Sequence, residues 1–86
     1  MTPAQLENTL RGMNLKDMRV HVEGRPGRLV AEVTSPEFTG QNEGKRQQRV
    51  WEYLLGTLSD YEQVEVEFVF TRTPAEESGA VEQVED

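Results

Sequence analysis

Apolar positions change their spacing along this chain, and each change marks an element. Leu6, Leu10 and Met13 recur at helical spacing while Glu7, Asn8 and Arg11 fall off that stripe. Ahead of them, Thr2-Pro3-Ala4-Gln5 supplies a Thr cap, Pro in the first helical position and Gln where a capping box closes. Gly12 and Asn14 offer a stop, so the spacing predicts a short helix that needs tertiary support. Met18, Val20 and Val22 then alternate with Arg19, His21 and Glu23, the period of a strand with one buried face. Leu29, Ala31 and Val33 repeat the alternation beyond Gly24-Arg25-Pro26-Gly27, a turn composition, which predicts a β-hairpin.

Residues 35–44 read as a polar loop interrupted by Phe38, whose ring is expected to plug the edge of the core. From 45 to about 58 the helical period returns: Val50, Leu54 and Leu58, flanked by Trp51 and Leu55, oppose Lys45, Arg49, Glu52 and Gly56. Gln47 projects onto the apolar face, four residues before Trp51, where a buried amide must find a hydrogen-bond partner. Val64, Val66, Phe68 and Phe70 alternate with Gln63, Glu65, Glu67 and Val69 and predict a third strand. The order is α-β-β-α-β. A strand–helix–strand crossover is right-handed, so the third strand should run parallel to the second, while the first two are antiparallel. The fold class is a small α+β domain: a three-stranded mixed sheet with helices on the face formed by Met18, Val20, Val22, Leu29, Ala31, Val33 and the Val64 to Phe70 series. The other face should be wet.

Eighty-six residues leave room for one core and for no large enclosed cavity. With no cysteine, the chain has no disulfide, thiolate ligand or thiol nucleophile. The opening residues lack the basic and apolar regions of a signal peptide and no apolar run is long enough to span a bilayer, so a cytoplasmic location is expected. The net charge of −7 is uneven: Glu76, Glu77, Glu82, Glu85 and Asp86 follow the last basic residue, Arg72, and leave −2 on residues 1–72. Residues 73–86 carry only isolated apolar side chains, Val81 and Val84, and read as an acidic, disordered, solubilising tail on a 1–72 domain. Truncation after Arg72 should then leave the melting temperature nearly unchanged.

Gly40 and Gly44 lack the Gly-Lys-Ser/Thr ending of a phosphate loop and stand one residue too far apart for the GXXG loop of a KH domain. His21, the only histidine, is a candidate metal ligand with Glu23 or Glu32 on the same sheet face. A zinc or iron site needs three or four convergent donors, so no metal is expected. No nucleophile motif accompanies it, and Glu65 and Glu67 fall on the wet side, where nothing raises a carboxylate's pKa towards that of a general acid. The chain does not read as an enzyme, and no cofactor is expected. Lys45, Arg46 and Arg49 open a helix against its macrodipole, and Lys45 repels Arg49 at i,i+4. An anionic partner would relieve that conflict, so Lys45, Arg46 and Arg49, with Phe38 beside them, form the candidate partner-binding site.

Ser35-Pro36-Glu37-Phe38-Thr39-Gly40, Val50-Trp51-Glu52-Tyr53-Leu54 and Thr73-Pro74-Ala75-Glu76, in this spacing and on this order of elements, make residues 1 to about 77 resemble the BolA family. The resemblance implies a fold related to the type II KH domain and partnership with monothiol glutaredoxins in iron or stress regulation. It matches Arg46 to the first residue of an Arg-His-Arg cluster whose other positions are Gln47 and Gln48 here. It also implies cluster ligands, a Cys or His in the hairpin loop and a His near the last strand, and this chain has neither. The function expected is that of a divergent BolA-like adaptor binding a protein partner without cluster ligands of its own. The alternative is a KH-like nucleic-acid-binding regulator, opposed by the missing GXXG loop and the acidic balance.

Overall fold

The computed structural model describes residues 1–79. Helix α1 (Pro3–Arg11) starts on the expected capping box: the Thr2 hydroxyl accepts from the Gln5 amide while the Gln5 side chain accepts from the Thr2 amide. Leu6 and Leu10 are buried, and Asn14 takes the left-handed backbone that turns the chain away. Strands β1 (Arg19–Arg25) and β2 (Arg28–Thr34) pair antiparallel through Arg25↔Arg28, so the hairpin loop is only Pro26-Gly27, with Gly27 at φ 93°. Proline presets the first position of such a turn and glycine takes the positive φ of the second. Ser35 caps a 3₁₀ turn, Pro36–Phe38, which drives the Phe38 ring into the core.

Helix α2 (Glu43–Thr57) crosses back over the sheet with Val50 and Leu54 buried beneath it, followed by a one-turn helix, α3 (Asp60–Gln63). Strand β3 (Val66–Arg72) lies parallel to β2, giving the order β1-β2-β3. The small α+β architecture, with its mixed sheet, is as expected. Gly12 sits where α2 approaches α1: a Cβ there would fall 2.3 Å from the Tyr53 hydroxyl, which donates to the Thr9 carbonyl at 2.7 Å. Gln47 finds its partners as well, donating to the Val69 carbonyl at 2.7 Å and to Glu43 at 2.9 Å. Its amide thereby guards the free edge of β3, while Arg19, His21, Glu23 and Arg25 charge β1 at the other edge.

Three expectations need correction. The alternation assigned to β3 holds only at Val66. Leu29 pairs with Val66 but Val30 pairs with Phe68, so Glu67 is an extra residue and the phase flips after it. Val69 and Thr71 are therefore buried, whereas Phe68 and Phe70 face outwards. The open face is accordingly not simply wet, because it carries two phenylalanine rings. Leu55, expected to flank the core, is 57% exposed. Finally, the domain does not stop at Arg72: Thr73 is buried and caps a docked turn, α4 (Pro74–Glu77), by a second capping box with Glu76. The rest of the expected tail, with Val81 and Val84, lies outside the described residues.

Candidate functional site

The basic cluster expected on the surface is divided by the structure. Arg46 is only 8% exposed and Phe38 is 0% exposed, because both face the seam between α2, the 3₁₀ turn and α4. The Arg46 Nε donates to the Gln41 carbonyl at 2.8 Å, and its two terminal nitrogens meet the two oxygens of Glu76 at 2.8 and 3.2 Å. The guanidinium lies 5.9 Å from the centroid of the Phe38 ring, within cation–π range. Phe38 thus presents no side-chain surface to a partner, and the Arg46 charge is used inside the domain. Helix α4 is further held by Glu77, which pairs with Arg19 and accepts from the Thr34 hydroxyl at 3.2 Å.

Arg49 is half-buried and pairs with Glu37 of the 3₁₀ turn at 2.6 Å, which answers the expected clash with the helix dipole. Lys45 is exposed on the outer side of α2. The Lys16 amide and the Arg49 side chain hold the Glu37 carboxyl below its ordinary pKa, the Lys16 hydrogen bond being the larger cause. Glu76 is held low as well, by Arg46 first and against the opposing effect of burial, with the Thr73 amide adding to it. Carboxylates depressed on folding add stability above their unfolded pKa and lose it as pH falls through the folded one. Thermal stability should therefore fall on the acid side of the ordinary glutamate value. Glu76→Gln should flatten that limb in melting curves recorded from neutral to acidic pH, and an unchanged limb would contradict the assignment.

On the helix-free face, Phe68 and Phe70 are 43% and 45% exposed and meet edge to face, centroids 4.6 Å apart and planes at 69°. Val30 lies beside Phe68 in the pairing register. Around them two arginines are paired within the chain, Arg28 with Glu67 at 3.0 Å and Arg72 with Glu32 at 2.5 Å, and the His21 Nε2 is hydrogen-bonded to Glu23 at 2.7 Å. A groove of about 510 Å³ leads from these rings to Arg46 and Glu76. Sequence reasoning missed this aromatic face, although the uninterrupted run Phe68-Val69-Phe70 signalled that alternation could not phase the strand. Among the described residues, no group of three His, Cys, Asp or Glu side chains could hold a metal ion, and no helix is long and apolar enough to cross a membrane.

No protein-family model matches the chain, and a search of curated proteins finds no significant match. Solved structures do match. A Bol-like protein from Babesia bovis superposes with a TM-score of 0.55 at 18% identity, covering 92% of each chain. The fold is BolA-like. The XC975 protein, solved in solution, matches with a TM-score of 0.50 at 28% identity over 81% of this chain and 90% of its own. In this BolA-like domain the hairpin tip is built from Arg25, Pro26 and Gly27, and Glu65, Val66 and Glu67 lead into and open β3. His21 stands mid-way along β1, exposed and bonded to Glu23.

Proposed function

We propose that this chain is a divergent BolA-like adaptor that binds a protein partner through the aromatic face of β3, with a monothiol glutaredoxin as the partner the family resemblance implies. The observation that carries the reading is the exposed Phe68–Phe70 pair on the open side of the sheet, rimmed by charges already matched within the chain. Paired aromatic rings inside a polar rim are the composition of an interface hot spot. The net charge of −7 disfavours nucleic acid, whose phosphates need a run of unpaired cations. The module has no catalytic role, and any iron–sulfur cluster in the complex is held by the partner. Oxygen donors near β3 such as Glu65 and Glu67 are poor substitutes for thiolate or imidazole.

The reading is tested by titrating the chain with a monothiol glutaredoxin. Replacing Phe68 and Phe70 together by serine should weaken capture by about 30-fold or more, since a hot-spot ring carries about 2 kcal/mol. The rings are half exposed, so stability should fall by only about 1 kcal/mol each. Undiminished capture by the folded double variant would refute the docking surface. The visible spectrum of the anaerobic mixture with iron and sulfide should match that of the glutaredoxin alone. A new spectrum abolished by His21→Ala would make His21 a ligand after all. Sub-micromolar binding of single-stranded RNA with a steep salt dependence would instead support the KH-like alternative.

A further inference from the structure

We propose that Glu76 is the tethered occupant of a carboxylate-binding socket, and that a partner segment bearing one carboxylate beside apolar side chains takes the socket when α4 lifts away. The receptor half is assembled without α4. The Gln41 carbonyl fixes the Arg46 Nε, the Phe38 ring lies beside the guanidinium, and both terminal nitrogens are left aimed at Glu76. A planar fork held in this way suits any carboxylate.

Helix α4, in contrast, is lightly held. Four residues cannot sustain a helix on their own, and α4 buries none of them. Glu76 on Arg46, and Glu77 on Arg19 and Thr34, are charge-assisted contacts that a competing carboxylate can replace. The groove beside α4 joins Arg46 to Phe68 and Phe70, so an incoming segment with an apolar side chain next to its carboxylate reaches both. The net charge of −7 selects against a polyacidic partner, which leaves a single carboxylate on an apolar segment as the fitting chemistry. The occupant's identity rests on the protein-interaction reading above; the socket can be tested without any partner.

The probe is a blocked peptide of residues 73–79, added to the full chain. In the Glu76→Ala variant the Arg46 Nε–H resonance should shift on titration, saturating with a Kd of about 1–10 mM, as expected for one charge-assisted fork. The wild-type chain should respond at least about ten-fold less because its socket is filled in cis, and a peptide carrying Glu76→Gln should be inert. No shift in the variant, or an equal response from the wild-type chain or to the Gln peptide, would overturn the proposal.

Should the variant not fold, amide exchange in the wild-type chain decides. The Glu77 and Ser78 amides, bonded to the Thr73 and Pro74 carbonyls, should exchange at least about ten-fold faster than those of Leu29 and Ser35, which are bonded to the carbonyls of Glu65 and Arg72. Equal protection would make α4 part of the cooperative core and sink the idea. Failed glutaredoxin capture would leave the socket result standing, and an unresponsive socket would leave the aromatic surface standing.

Discussion

Replacing Phe38 by alanine should remove about a third or more of the domain's folding stability. The ring is among the largest fully buried side chains, and removing it both exposes a cavity and takes away the surface beside which the Arg46 guanidinium sits. Phenylalanine-to-alanine changes in cores cost about 3–5 kcal/mol, while a domain of this size holds only about 5–10 kcal/mol in total. Urea unfolding of the variant measures the loss directly. The same experiment separates two roles for Phe38. A variant that stays well folded but no longer binds its partner would return Phe38 to the interaction surface on which the sequence placed it.

The second large effect is at Arg46. Arg46→Ala should cost about 2–3 kcal/mol, seen as a fall of about 10–20 °C in melting temperature, because it removes the buried stem, the ring contact and the anchor of α4 together. Glu76→Ala should cost less, about 1–2 kcal/mol, since Arg46 keeps its bond to Gln41 and regains water as α4 loosens. The double variant should be no worse than Arg46→Ala alone, because both changes break the same contact. Full additivity would show that the two groups do not act as a pair. Truncation after Arg72 should cost at least as much as Glu76→Ala, since it also removes the buried Thr73 and the Glu77 contacts, rather than being neutral as the composition of the C-terminal residues suggested.

Much of the architecture was legible in the sequence because it rests on neighbours along the chain. The Thr2–Gln5 box, the Pro26-Gly27 turn and the helical stripe of Val50, Leu54 and Leu58 are set by residues within one or two turns of each other. The Phe38 ring was expected at the edge of the core and lies fully inside it, although the same residue was also counted in the partner-binding cluster. The candidate site was less legible. Lys45, Arg46, Phe38 and Arg49 form one cluster in sequence, but the structure turns Arg46 and Phe38 inwards, pairs Arg49 with a loop carboxylate and leaves Lys45 exposed.

From the sequence alone come the order of elements, the antiparallel hairpin, the parallel third strand and the absence of cysteine chemistry; local propensity, period and the handedness of the crossover determine these. Only the tertiary structure decided which face of β3 is buried and that the segment just after Arg72 docks on the domain. The phase of β3 depends on the extra residue Glu67, which is defined by pairing with a strand nearly 40 residues earlier. The ordering of α4 depends on Arg46, 30 positions before Glu76, and on Arg19, which pairs with Glu77; together they turn two residues of an apparently solvated acidic run into docking contacts. Hydrophobic period reports a side chain's neighbours on its own element, whereas the partner of a charge, or the register of an edge strand, is chosen by whatever the rest of the chain brings alongside.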